Sequence, residues 1–290
     1  MAKGRELKGR IKSVENTRKI TRTLEMVATS KMKRAQDRVV AARPYATALA
    51  DVISSLYSSE LAERFPLLRQ PAQQSKVAVI LLTSNRGLAG AFNANLIKEA
   101  RARIAEFEAR GTEVELHIIG KKGLGYFKYI GRAIATQRLD ISDRPVAADA
   151  ASIVDGIMAD YIAGKLDGVY VVYSKFLSAL STPPSTDQVL PVVPPQKKEG
   201  GAAQKDYLLY PNAEEILTNL LPSYVRNAVY RALVETTAGF YTTQRTAMKN
   251  ATDNAGDMLN VLRRTYNRAR QAQITQEIAE IVGGAAALQG

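Results

Sequence analysis

One run of sequence constrains this chain more than any other. Residues 212–288 contain no proline after Pro222 and read as a single helix. At about 1.5 Å per residue, positions 223–288 alone would span roughly 100 Å, more than a globular core needs. A helical pattern this long without internal caps indicates a coiled coil, a membrane span or a helical array. Charges at Arg226, Arg231, Glu235, Arg245, Lys249, Asp253, Asp257 and Arg263 exclude the membrane span, which needs about 20 mostly apolar residues in a row. Asn212, with Glu215 three residues on, has the pattern of an N-cap and capping box.

The other end of the chain mirrors it. Leu7, Ile11, Val14, Arg18, Thr21, Glu25, Ala28, Met32, Ala35, Val39, Ala42, Ala46 and Leu49 recur mostly at steps of four and three. This is a heptad-like seam with polar interruptions. Pro44 is expected to kink or restart the helix. In the C-terminal run the corresponding seam is read as Val229, Leu233, Thr236, Phe240, Thr243, Ala247, Asn250, Asn254, Met258, Val261 and Thr265. Both seams are thin, small and polar. The two helices are therefore expected to pack antiparallel, closely but weakly.

Between them the periodicity changes. Residues 60–75 carry two prolines and read as a linker. KVAVILLTS (76–84) is a continuous β-branched and aliphatic run, as a buried parallel strand requires. An amphipathic helix follows at 93–111, closed by Gly111, and then a strand at 114–120. Residues 121–131 read as a short helix or turn, 132–140 as a third strand, 147–165 as a helix and 168–176 as another buried strand. That rhythm indicates a small α/β domain with a mostly parallel sheet. Residues 178–205 are rich in Pro, Gly, Ser and Lys; VLPVV is read as a short edge strand and PPQKKEGGAAQ as a loop. The expected segments are a helix at 1–59, the linker, an α/β domain at 76–177, a loop and edge-strand segment at 178–211 and a helix at 212–290.

Composition narrows the function. With no Cys and one His, disulfides are impossible and a Cys/His metal site is effectively excluded. The N-terminal stretch lacks the apolar core of a signal peptide, and its Arg richness leaves a transit peptide as the competing reading. Net charge is +12, and residues 1–43 hold 13 Lys and Arg against 4 Asp and Glu, a net of +9. Such a segment is either a solvated helix face or a surface for an acidic partner: nucleic acid, anionic lipid or acidic protein. It has no aromatic residue before Tyr45, which counts against base stacking.

No active site emerges. TSNRGLAGAFNAN (83–95) lies between a strand and a helix, where a phosphate loop would sit, but neither it nor GKKGLG (120–125) fits a phosphate-loop pattern. Both read as close backbone packing at a turn. His117 sits in an apolar strand as a core or sheet-face histidine. Asp253, Asp257, Glu277 and Glu280 read as helix surface. In the tail, Ile274, Ile278, Ile281 and Ala285 make an apolar stripe, and Gly283 and Gly284 weaken the helix end. That end either docks on its own domain or enters an apolar socket of a partner, and the length of the helix favours the socket.

SVENTRKITRTLEMVATSKMKRAQ (13–36) and MKNATDNAGDMLNVLRRTYNRARQAQITQEIAEIVGGAAAL (248–288) resemble the two signature ends of the gamma subunit of F-type ATP synthase. TSNRGLAGAFNAN, the VYVVYSKF strand and DYLLYPNAEEIL extend the resemblance over essentially the whole chain. The family often has Asp where Asn85 stands and Cys or another small residue at Ala89. Its plant-type insert with paired cysteines is absent.

The resemblance implies an antiparallel coiled coil of both termini forming a central shaft, with a Rossmann-like α/β domain at its base. The shaft would run, in one copy, inside a hexamer of alternating alpha and beta subunits, with the epsilon subunit and the membrane c-ring beside the base. ATP chemistry would belong to the beta subunits, and this chain would transmit torque without a catalytic residue, cofactor, metal, nucleic acid or bilayer insertion. It would lie at the cytoplasmic face of a bacterial inner membrane. Matched by position, Arg270 and Gln271 would hydrogen-bond a beta-subunit loop, with Thr275 and Glu277 nearby in coupling. Leu24, flanked by Lys31 and Lys33, would face an acidic beta loop. Ile281, Ala285 and Leu288 would form the bearing tip, and Tyr207 would lie in the foot near the c-ring and epsilon.

Overall fold

The computed structural model describes residues 2–57, 64–193 and 212–289. They fall into two compact units, one of Ser30–Thr243 and one of Met1–Thr29 with Gln244–Gly290. Helices α1 (Ala2–Leu56) and α5 (Ala213–Gln289) contribute to both. Among the described residues, no helix is long and apolar enough to cross a membrane.

The Ser30–Thr243 unit is built on a five-stranded sheet of order β3-β2-β1-β4-β5. Its strands are β1 (Lys76–Leu82), β2 (Glu113–Ile119), β3 (Thr136–Arg138), β4 (Gly168–Ser174) and β5 (Pro184–Leu190). The first four are parallel, and β5 runs antiparallel to β4 at the edge. β1 is central and is covered on both faces, which is why it has no polar alternation. Val77, Val79 and Leu81 pack beneath α2 (Phe92–Ala109) and α3 (Lys121–Tyr129), with Met32 and Phe240 in the same cluster. Ala78, Ile80 and Leu82 face α4 (Ala147–Ile162), Leu49 and Ile53 of α1, and Leu221, Val225 and Val229 of α5. Leu67 and Leu68, in a 3-10 turn at Pro66–Leu68, are buried in that second cluster.

The sequence reading holds for these elements with two changes. The edge strand is Pro184–Leu190, not VLPVV. Pro191 has no N–H to continue the ladder, and Pro184 sits at the strand start, where a missing donor costs nothing. The third strand shrinks from 132–140 to Thr136–Arg138. Its entry is held by the Ala135 N–H donating to the Leu116 carbonyl.

Within the other unit the two helices pack together, and the long-range bonds give their direction. The Thr252 hydroxyl lies 2.8 Å from that of Thr21, and Arg263 Nη2 is 2.6 Å from Glu15 Oε1. Descending α1 corresponds to ascending α5, so the pair is antiparallel. Thr21 and Ala28 are buried on α1, as its seam predicts. On α5 the expected phase is wrong beyond Ala247. Met248, Thr252, Ala255 and Leu259 are the buried positions, while Asn250, Asn254, Met258, Val261 and Thr265 are exposed. The steps of four, three and four are preserved but displaced. Small and polar residues on both faces left the seam without a hydrophobic contrast to set its phase.

Pro44 does not restart α1, which continues to Leu56. Its ring removes one backbone donor, and the carbonyl left over belongs to Val40, whose side chain is exposed. At the start of α5, the Glu215 N–H donates to Asn212 Oδ1 at 2.8 Å, the expected N-cap. Pro222 is carried inside that helix.

Candidate functional site

The C-terminal part of α5 carries most of the residues singled out above. Arg270 and Gln271 are exposed, and their side chains have no hydrogen-bond partner among the described residues. The Thr275 hydroxyl turns back to donate to the Gln271 carbonyl at 3.0 Å. Glu277 accepts from Gln273 Nε2 at 2.9 Å, and Glu280 likewise from Gln276. These are bonds one helical turn apart, which hold side chains against their own helix and leave the outer surface free. Residues 274–285 are exposed throughout, including Ile274, Ile278, Val282 and Ile281 at 71%. Ala285 is exposed at the last described side-chain position; Leu288 lies in the helix, with its side chain outside the described set. Tyr207 and the 194–205 loop lie outside the described residues.

Leu24 belongs to the two-helix unit and is half-buried. Lys31 and Lys33 belong to the other unit, and both have partners. Lys33 Nζ is 2.8 Å from Asp37 Oδ1 along the helix. Lys31 Nζ is 3.0 Å from Asp143 Oδ2 and 3.1 Å from the Tyr241 hydroxyl. Tyr241 in turn donates to Asp143 at 2.5 Å.

This cluster joins three distant segments of the α/β unit, and sequence reading did not find it. Burial opposes the charge on Asp143, but the Tyr241 and Lys31 hydrogen bonds outweigh it and hold the carboxyl below its usual range. The Lys31 ammonium is raised, first by Tyr241 and then by Asp143. Burial, then the Asp143 carboxylate, pushes the Tyr241 phenol up. The charged forms of Lys31 and Asp143 are thus mutually fixed, which suits a clamp and not a proton-transfer pair.

The two glycine-bearing loops are packed as expected. Gly120 has φ +99°, and a Cβ there would meet the Thr83 carbonyl oxygen at 2.2 Å. The 84–93 loop is closed by the Ser84 N–H donating to Asn93 Oδ1 at 3.0 Å. His117 is buried, with Nδ1 2.8 Å from the Thr136 hydroxyl. Burial lowers its pKa and keeps it neutral. Among the described residues, no three His, Asp or Glu side chains are placed to hold a metal ion.

A family model described as ATP synthase matches residues 3–288. The ATP synthase gamma chain of Gemmatimonas aurantiaca is 70% identical over 290 residues, covering 100% of both chains. The chain belongs to the ATP synthase gamma chain family. The gamma chain of Leptospira biflexa is 41% identical over 288 residues, with 99% of this chain and 100% of that one covered.

The gamma chain fold recurs in distant solved structures. A chain of the Euglena gracilis mitochondrial ATP synthase, from a structure of its OSCP/F1/c-ring part, has a TM-score of 0.71 at 19% identity. The match covers 99% of this chain and 95% of that one. A chain of the Tetrahymena thermophila mitochondrial ATP synthase central stalk and c-ring has a TM-score of 0.62 at 20% identity, covering 80% and 99%. At that identity the fold, with its paired terminal helices and α/β unit, is what is shared. The family makes this chain a subunit of an ATP synthase.

Proposed function

We propose that this chain is the rotor of its ATP synthase. It transmits torque between a membrane c-ring and a hexamer of alpha and beta subunits, drives the beta subunits through their binding states, and catalyses nothing itself. The observation that carries this reading is the exposed end of α5. Four aliphatic side chains, Ile274, Ile278, Ile281 and Val282, stand in solvent on a continuous helix. An apolar surface of that kind is stable only with a partner around it. We place Ile281, Ala285 and Leu288 at the bearing tip in the hexamer.

Arg270 and Gln271 then supply free donors to a beta-subunit loop, with Thr275 and Glu277 beside them. Leu24 and Lys33 face an acidic beta loop, and Lys31 contributes positive potential there although its ammonium is bound to Asp143. Tyr207 lies in the foot near epsilon and the c-ring. The chain binds in single copy and stays peripheral to the bacterial inner membrane, at its cytoplasmic face.

The test is to mix the purified chain with alpha and beta subunits and measure complex size and ATPase. One copy per hexamer with stimulated turnover supports the rotor. Failure to form a stable complex, together with duplex DNA binding that falls steeply with salt, would instead assign the basic helix to nucleic acid.

A further inference from the structure

A cavity of about 470 Å³ opens in the α/β unit. It lies between the loop after β1, the loop after β3, residues 31–38 of α1 and Tyr241 of α5. Its walls carry Lys31, Arg34, Arg38, Arg86 and Arg144 against two carboxylates, Asp140 and Asp143.

Both carboxylates are already engaged. Arg138 forks Asp140 at 2.8 and 2.7 Å from outside the cavity. Asp143 is held by Lys31 and Tyr241, with Arg86 Nη1 at a looser 3.7 Å. Among the described residues, Arg38 reaches only the Asp143 backbone carbonyl, at 3.5 Å. Arg34 and Arg144 have no carboxylate partner among the described residues. The cavity therefore gathers guanidinium groups that the described residues do not neutralise, and gathering them costs Coulomb repulsion unless a counter-charge enters.

The walls are also built rather than loose. Asn85 Oδ1 accepts the Lys121 N–H at 3.0 Å, which fixes the amide orientation. Its Nδ2 then donates to the Leu139 carbonyl at 3.0 Å and the Ile141 carbonyl at 3.4 Å. One side chain thus ties the loop after β3 to the loop after β1. The Ser84 hydroxyl donates to the Arg86 carbonyl at 2.6 Å, and Leu88 is held at φ 61°, a left-handed conformation unusual for a branched side chain. The site lies beyond the carboxyl ends of β1 and β3, where open α/β sheets place their ligands.

We propose that this cavity binds a small, multiply charged oxyanion of the phosphate class, held by the side chains of Arg34, Arg86 and Arg144. Guanidinium forks match phosphate oxygens in pairs, and the volume falls within the roughly 300–1,000 Å³ of small-molecule sites. No backbone phosphate cradle is involved, consistent with the loop's lack of a phosphate-loop glycine pattern. The inference stands apart from the rotor reading.

Calorimetric titration of the full chain at fixed ionic strength, with inorganic phosphate, pyrophosphate and ADP in separate runs, tests it. Saturable binding is expected. The Arg34→Gln/Arg144→Gln double variant should bind at least about tenfold more weakly. Both side chains are exposed, so the variant should keep the helical circular dichroism of the parent. Lys8→Gln/Lys12→Gln removes the same charge from α1 outside the cavity and should weaken binding by less than about twofold. Pyrophosphate binding at least as tightly as ADP assigns a free oxyanion; tighter ADP assigns the phosphate tail of a nucleotide. The proposal is overturned if no run saturates, or if both double variants lose binding equally.

Discussion

The hydroxyls of Thr21 and Thr252 meet at 2.8 Å in the buried seam of the two-helix unit. Each also reaches a carbonyl of its own helix, Thr21 that of Arg18 and Thr252 that of Met248. Each hydroxyl has one proton, so at most two of these three bonds form at once: when Thr252 donates to Thr21, Thr21 donates to the Arg18 carbonyl and the Met248 carbonyl is released.

Thr21→Val and Thr252→Val should therefore each destabilise the unit by about 1 kcal/mol, because a buried hydroxyl loses a partner. The double variant should be nearly neutral, since both polar groups are gone and the shape is kept. Urea unfolding followed by helical circular dichroism, arranged as a double-mutant cycle, measures the coupling. Strictly additive losses would show that the two hydroxyls do not interact.

Adjacent residues on α5 separate the observed seam from the expected one. Leu259 is 2% exposed and Met258 is 55% exposed. Leu259→Ala should cost about 2–4 kcal/mol as a core truncation, whereas Met258→Ala should stay within about 0.5 kcal/mol. The reverse order in the same unfolding assay would restore the phase read from sequence.

Asp140 reports on a single ion pair. The Arg138 fork is the main cause that lowers its pKa to about 2. A depressed carboxyl stabilises the fold above its unfolded pKa of about 3.9 and loses that contribution as pH falls toward its folded value. Carboxyl NMR should give a midpoint near 2 for the parent. In Arg138→Gln it should return toward about 3.9, and stability should fall less between pH 4 and pH 2 than in the parent. An unchanged midpoint would remove Arg138 as the cause.

Arg270→Ala with Gln271→Ala tests the proposed contact with the beta subunits. Both side chains are exposed and have no hydrogen-bond partner among the described residues, so folding should be unaffected. In the assembled complex, size should be preserved while coupled ATP synthesis and hydrolysis fall by about tenfold or more, as charge-assisted bonds would allow. Parent turnover in the variant would take these residues out of the mechanism.

The strands and long helices were legible because their signals are local. β1 shows an unbroken aliphatic run, and Asn212 sits three residues before its partner Glu215. The α5 seam was legible in period but not in phase, because Thr252 and Ala255 look no more apolar than Asn254 and Met258 together. The clamp of Lys31, Asp143 and Tyr241 was not legible at all. Its members lie 112 and 98 positions apart, and nothing at any one position announces the others. Gly239 is similar. In sequence it is a weak spot in a helix, but a Cβ there would meet the Ser174 hydroxyl at 2.3 Å, so close approach of α5 to β4 requires it.

Rotation itself is the most direct test of the central claim. The chain has no cysteine, so Leu180→Cys, at a position 98% exposed in the turn between β4 and β5, gives one labelling point. A probe attached there should turn in one direction, with three dwells per revolution, when the chain is assembled with immobilised alpha and beta subunits and supplied with ATP. A probe that stays still while the same complex hydrolyses ATP at full rate would contradict the rotor account.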